Sequence, residues 1–401
     1  MQDSTFIRRV VLKNFKSIGY CDVSLKPLTY LVGQNGAGKS NFLDALHFVR
    51  DSLNSSLENA IRERGGLSEV RRRSSGHPTN FAIRIEFNLK DGRQGWYAFN
   101  VGATPSGAFE VLSEKCVLGE KGKGPFFHVE KGVLKGSSEQ TFPAVVSDRL
   151  AMVAVSGSPT FRPIFDALTA MGFYNLNPKL MRELQKPQDG RLLKPVGENI
   201  ASVIGHLEKI APDQVKLIQE YLQKVAPMVH GMERKAVGPM ETLEFRQDVA
   251  GAKYPWRFFA QNMSDGTLRA LGVLTALLQN NIDYSPTLIG IEEPETALHP
   301  AASATLREVL VLASRDVQVL VTSHSPDLLD NSDIDTDAIF SVVSEGGDTK
   351  IAPLDEASRS VLKDHLFTAG ELLRSNQLEP DRQVIAQQNV RQSDLFEEVR
   401  Q

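Results

Sequence analysis

The sequence predicts an α/β protein in three parts, and three patterns predict it. β-Branched and aromatic runs between glycine-rich turns come first, a proline-punctuated helical stretch follows, and strands then alternate with helices. Over residues 1–150 the runs "FIRRVVL", "LTYLVG", "FAIRIEFNL", "GWYAFNV" and "FEVLSEKCVL" suit pleated, half-buried chain, which predicts a strand-rich lobe with one early helix. Over residues 151–243 the segments "PTFRPIFDALTAMGF", "ENIASVIGHLEKI" and "PDQVKLIQEYLQKV" have helical apolar spacing. Pro163, Pro178, Pro187, Pro195 and Pro212 interrupt them, so heptads cannot run and the insert reads as a compact cap rather than an arm. Over residues 244–380 the order "TLIGI", "PAASATLREVLVLAS", "VQVLVTS", "DAIFSVVS" predicts βα units and a parallel sheet. Residues 381–401 read as a polar tail with one apolar pair, Leu395 and Phe396.

Composition bounds the function. With 401 residues, 41% hydrophobic and 23% charged, the chain is long enough for several cores. A formal net charge of -4 argues against a surface coated in nucleic-acid-binding basicity, so any DNA contact is expected to be local, salt-sensitive and sequence-independent. Cys21 and Cys116 have no ligand-like spacing, which suits a reducing cytoplasm. The start "MQDSTFIRRVVLKNF" has no signal-peptide core, and nowhere do about eighteen apolar residues run together, so no membrane insertion is expected.

The strongest chemical signal is "GQNGAGKS", with Gly33, Gln34, Asn35, Gly36, Ala37, Gly38, Lys39 and Ser40 followed by Asn41. It sits between the apolar run "LTYLV" and the helical pattern "NFLDALHFV", the strand, loop and helix context of a P-loop. The glycines let the backbone wrap phosphate oxygens and point successive N–H groups inward. Lys39 is expected to reach the β and γ phosphates, and the Ser40 hydroxyl to meet Mg²⁺.

The residues for metal and water follow in "TLIGIEEPETALHP". An apolar strand delivers Glu292 and Glu293 at its C-terminal end, where ligands of open α/β sheets collect. Side chains alternate along a strand, so one carboxylate, Glu292, is assigned to Mg²⁺ and the other, Glu293, to activating water. A second strand, "VQVLVTSHSPDLL", ends at His324, placed to hydrogen-bond a γ-phosphate or the water between it and Glu293. In "QNMSDGTLRALGVL", Ser264 is expected to cap a buried helix, leaving the amides of Asp265, Gly266 and Thr267 for an anion.

Together these motifs resemble the ABC-type ATPases, in which the signature helix of one subunit meets the γ-phosphate held by another. "VVLKNFKSI", "MSDGTLRAL" in place of LSGGQ, "EEPETALHP", "TSHSPDLLD" and "HLFTAGELLRSNQLEP" are similar to the SMC/RecF/OLD-like branch, in particular its compact ATPases without coiled coil or TOPRIM domain. The resemblance implies ATP and Mg²⁺ as cofactors, a homodimer sandwiching ATP between Lys39 of one copy and Ser264 and Gly266 of the other, and work in DNA metabolism or anti-phage defence. Glu292 stands where that class more usually has Asp, and Asp265 where its signature has Gly. No glutamine of the usual Q-loop stands out, Gln140 being one candidate.

The basic run Arg62 to His77 is either a phosphate-backbone contact through Arg71, Arg72 and Arg73 or a solvated loop balanced by Glu63 and Glu69. The acidic triplet Asp333, Asp335 and Asp337 precedes a strand, which favours a plain loop over a metal site. The expectation is therefore an ATP-hydrolysing switch that acts on a separately encoded effector, such as a nuclease, docking near "ENIASVIGHL" or at Leu395 and Phe396. The alternatives are the ATPase subunit of a membrane transporter, which "MSDGT" and the broken insert disfavour, and an ATP-gated scaffold with negligible turnover.

Overall fold

A computed structural model describes residues 5–390, apart from 75, 77, 106, 120–123 and 281–284, together with 395 and 396. Its strands in chain order begin with β1 (Ile7–Phe15), β2 (Ile18–Ser24), β3 (Leu28–Val32), β4 (Asn80–Asn88), β5 (Gln94–Ala103), β6 (Phe109–Leu118), β7 (Phe126–Glu130) and β8 (Val133–Ser137). They continue with β9 (Gly172–Tyr174), β10 (Val229–Val237), β11 (Met240–Gln247), β12 (Trp256–Phe259), β13 (Leu288–Glu292), β14 (Gln318–Ser323), β15 (Ile339–Glu345) and β16 (Asp348–Pro353). The chain divides into two units, Met1–Met171 with Ser332–Phe367 and Leu372–Gln401, and Gly172–Asn331 with Thr368–Glu371. Among the described residues no helix is long and apolar enough to cross a membrane.

In the first unit an antiparallel sheet runs β2-β1-β4-β5-β6-β7-β8. Its inner face is aromatic: Phe15, Phe81 and Phe99 meet Phe48 of the helix Lys39–Asn54, with Phe48 edge-on to Phe81 at 5.4 Å and to Phe15 at 5.9 Å. Phe42, Leu43, Leu46 and Val49 bury the same helix further, so the element that opens at the P-loop is anchored by a broad apolar face. β3 pairs in parallel with β15, which forms an antiparallel hairpin with β16. The apolar pair expected in a loose tail is buried here. Leu395 is 5% exposed among Val11, Tyr20 and Ala82, its carbonyl accepts from Arg84 Nη1 at 2.9 Å, and Phe396 packs partly buried beside it. Residues 391–394 and 397–401 of that tail lie outside the described residues.

In the second unit β13 pairs in parallel with both β14 and β9, matching the βα reading of "TLIGI" and "VQVLVTS". The proline-punctuated stretch is less purely helical than its pattern suggests, since it also supplies β9 and β10, and β10-β11-β12 form a small antiparallel sheet. Pro178 and Pro212 each open a helix, where a missing N–H costs nothing. Helix Ile200–Ile210, one expected docking surface, buries Ile200 to Gly205 and Leu207 in its own unit, because its apolar residues gather on one broad face. Helix Asp265–Leu278 is buried from Leu268 to its end, as an all-round apolar helix must be.

Candidate functional site: a phosphate loop and an acidic turn

The loop of the first unit leaves β3 and enters the helix at Lys39 through Gly38, whose φ of 100° is left-handed and suits glycine. A Cβ on Gly38 would also fall 2.0 Å from Thr349 Oγ1, so β16 closes on the loop. Thr349 Oγ1 donates to the Ala37 carbonyl at 2.9 Å, and it therefore accepts from Ser17 Oγ at 2.6 Å. Ser17 in turn accepts from Asn41 Nδ2 at 2.6 Å. The hydroxyl chain Asn41, Ser17, Thr349 thus ends on the loop backbone and braces its curvature from outside. Lys39 is buried, with Nζ donating to the carbonyls of Gly33 at 2.8 Å and Gln34 at 3.0 Å, which keeps its charge at the loop. Gln34 Nε2 donates to Asn376 Oδ1 at 3.3 Å. A cavity of about 280 Å³ opens beside Gly33 to Ala37, with Ser341, Asn376 and Glu379 among its polar lining. A curved run of amides, a buried ammonium and the Ser40 hydroxyl fit a nucleotide triphosphate with its Mg²⁺.

The acidic turn belongs to the second unit. β13 ends at Glu292, and Glu293 follows at φ 44°, a left-handed conformation that costs a non-glycine residue on the order of 1–2 kcal/mol. Three contacts hold it there. Its amide donates to Thr322 O at 2.9 Å, and its carbonyl accepts from Thr296 N at 3.1 Å and Arg269 Nη2 at 3.0 Å. In this stance Glu293 Oε1 meets His324 Nδ1 directly at 2.9 Å, a pairing the sequence reading did not name. The neighbouring Glu295 is buried, accepts from Ser323 Oγ at 2.5 Å, and is pushed above the usual carboxylate range by that burial. Burial likewise pulls Arg269 below its usual value, against the opposing charges of Glu295, Glu293 and Glu292.

The helix start carrying the signature lies in the same unit. Ser264 caps it as expected, but the cap bond goes to Thr267 N at 3.1 Å, so that amide is taken. Asp265 and Gly266 remain as the first-turn amides without intrahelical acceptors. Asp265, the residue that departs from the usual signature, is ion-paired with Arg182, which offsets a negative charge that would repel an anion. Gly266 is needed for close approach, since a Cβ there would lie 2.7 Å from Ala297 O, in the turn that follows the two glutamates.

Other expected contacts resolve differently. Arg72 pairs with Asp348 at 3.4 Å and Arg73 with Glu69, so much of the basic run is balanced within the unit; Ser75 and His77 lie outside the described residues. Asp335 caps the turn Thr336–Ala338 by accepting from Asp337 N at 3.0 Å. Thr349, Ser17, Arg269, Glu295 and Ser323 escaped the sequence reading. Glu295 stands in the same "EEPE" as the two glutamates, but nothing local marks Thr349 or Arg269.

A family model described as an AAA domain matches residues 9–223, and one described as an AAA domain, putative AbiEii toxin, Type IV TA system, matches residues 178–330. The chain is 25% identical to the Old nuclease of Escherichia phage P2 over 80% of this chain and 56% of that protein. It is 26% identical to the OLD nuclease of Thermus scotoductus over 80% of this chain and 59% of that one. It thus spans little more than half the length of these relatives. Among solved structures, an Smc head bound to the C-winged helix domain of ScpA superposes with a TM-score of 0.55 at 16% identity, covering 88% of this chain and 99% of that one. An Smc head with an extended coiled coil, bound to the C-terminal domain of ScpA derived from Pyrococcus furiosus, gives 0.50 at 15% identity, over 90% and 99%. The fold is that of an SMC head, its likeness to the OLD nucleases supports the SMC/OLD-like resemblance, and with more than half its length matched by the first model, the chain belongs to the AAA domain family.

Proposed function

We propose that the chain hydrolyses ATP and works as a nucleotide-gated dimeric switch in DNA metabolism or defence. The observation that carries the reading is the contact between Glu293 and His324 at 2.9 Å, held on a strained backbone in a chain that also has a complete P-loop. In this reading the amides of Gly36, Gly38, Lys39 and Ser40 and the Lys39 ammonium hold the phosphates, the Ala37 amide being spent on Gln34 O at 3.2 Å, and Ser40 and Glu292 would hold Mg²⁺. The bound metal supplies charge neutralisation at the phosphate oxygens. Glu293 accepts the proton of the attacking water as its oxygen bonds to the γ-phosphorus and the bond to the bridging oxygen breaks, while His324 orients the Glu293 carboxylate. Ser264 and the amides of Asp265 and Gly266 address the γ-phosphate of a second copy, so ATP draws two chains together.

The partner reading is supported by the relatives, which are nucleases, and by the composition, which favours a local rather than a general DNA contact. In this reading DNA cleavage, where it occurs, is carried by a separately encoded effector such as a nuclease. Helix Ile200–Ile210 buries Ile200 to Gly205 and Leu207 but leaves Ile210 exposed, and Leu395 is buried with Phe396 only partly so, which leaves little apolar surface at either place for an effector. Phosphate release and ATP binding measured on Glu293→Gln test the core of the proposal. Binding should persist while turnover falls by roughly 10²–10⁴-fold. Wild-type turnover in that variant would remove Glu293 as the base. Ser264→Arg should bind ATP yet fail to dimerise by light scattering, and unchanged dimerisation would separate the signature helix from the partner's nucleotide.

A further inference from the structure

We infer that Arg269 is a positioning residue that ties the helix start bearing Ser264 and Gly266 to the turn bearing Glu293, making the engagement of one felt by the other. The inference rests on the reading of Glu293 as the base. Arg269 lies just over one turn into helix Asp265–Leu278 and is 9% exposed. Its guanidinium donates through Nη1 to Leu176 O at 2.7 Å and through Nη2 to Glu292 O at 3.3 Å and Glu293 O at 3.0 Å. A buried guanidinium that spends these donors on main-chain carbonyls holds the acidic turn by its backbone, while its charge offsets the adjacent carboxylates.

The geometry at Glu293 explains what such a hold achieves. With φ at 44° the residue sits outside the strand conformation it would otherwise continue, and this stance brings its carboxylate to His324. A strained backbone persists only where its surroundings over-determine it, and Arg269 supplies one of those restraints. A second contact joins the same two pieces, because Gly266 packs so closely on Ala297 O that a Cβ would lie 2.7 Å away. The helix start therefore touches the acidic turn on both sides of Glu293, through Arg269 before it and Gly266 after it. From Leu268 onward the helix is buried and close-packed, so a shift of its helical first turn carries to Arg269 rather than being absorbed. An anion drawn onto Ser264 and Gly266 would in this way tighten the stance of the base.

The test compares Arg269→Gln, Arg269→Lys, Glu293→Gln and the double variant Arg269→Gln with Glu293→Gln. If Arg269 acts through Glu293, Arg269→Gln lowers kcat by about tenfold or more while KM for ATP stays within about twofold. The double variant is then no slower than Glu293→Gln alone, because the group being positioned is already gone. Arg269→Lys, which keeps the charge without the planar fork, gives an intermediate loss. A crystal structure of Arg269→Gln should show the contact between Glu293 and His324 opened. An equal loss of kcat in both backgrounds, or that contact intact at full kcat, overturns the inference. So does failure of both Arg269 variants to fold, which would make the residue a packing requirement. Absence of phosphate release from the wild type would instead sink the reading of the base, and the crystal structure would still decide whether Arg269 holds the turn.

Discussion

Gly33 to Ser40, in the proposed reading, cradles phosphate with main-chain amides, and the loop is braced by a side-chain relay from Asn41 through Ser17 to Thr349. The acidic turn after β13 presents side chains instead, and spends its main-chain groups on Thr322, Thr296 and Arg269 to keep Glu293 in place. The difference teaches where each region is vulnerable. A backbone cradle tolerates many side-chain exchanges but no added atom at a crowded glycine. A side-chain constellation tolerates neither the loss of its groups nor the loosening of what aims them.

The largest effect expected from breaking this contrast is at Gly38. Alanine there meets both a φ of 100° and Thr349 Oγ1, and should lower the stability of the first unit by about 4 kcal/mol and abolish ATP binding. Thermal melts with calorimetric titration of ATP measure both. Gly266→Ala, crowded only against Ala297 O, should bind ATP normally and lose turnover, so equal binding defects in the two variants would erase the distinction.

A second, smaller effect separates the frame of the first unit from its cradle. Glu114 is fully buried, accepts from Tyr97 Oη and Met152 N at 2.8 Å and from Ala151 N at 2.5 Å, and burial pushes its pKa up to about 7. A carboxyl whose folded value lies above its unfolded one contributes stability that is fully present below about pH 4.5 and is lost as pH rises through about 7. The loss should reach on the order of 3 kcal/mol by pH 8. The melting temperature of Glu114→Gln relative to wild type should therefore shift in the variant's favour between pH 5 and 8, whatever its starting offset. A constant difference across that range would show that Glu114 keeps one protonation state.

The smallest effect expected sharpens the comparison. Thr349→Val keeps the shape of the side chain but removes the donor to Ala37 O, and should cost about 1 kcal/mol of stability and weaken ATP binding severalfold while leaving kcat at saturating ATP nearly unchanged. A fall in kcat with intact binding would mean that the brace serves chemistry and not the cradle.

The glycine-rich loop between β3 and the helix at Lys39 was legible because its motif is written in consecutive residues whose spacing backbone geometry demands. The carboxylates, His324 and the cap at Ser264 were legible for a related reason, since each stands at a strand end or helix start that apolar periodicity marks. The amide of Thr267 was misjudged because a serine cap consumes the donor that the same pattern advertises. The burial of Leu395 and Phe396 was missed because a short apolar pair in a polar stretch carries no period, and only the sheet face of Val11, Tyr20 and Ala82 gives it a place.

By itself, then, the sequence determined the glycine-rich loop between a strand and a helix, the alternation of strands and helices around β13 and β14, the acidic strand end and the class of ATPase the chain resembles, because all are local patterns of backbone preference, spacing and polarity. Only the tertiary structure decided that Thr349 closes on Gly38, that Arg182 offsets Asp265, that Arg269 grips the backbone of Glu292 and Glu293, and that Glu293 turns to His324. Those pairings join residues far apart in the chain through packing and hydrogen-bond satisfaction, which no local pattern encodes.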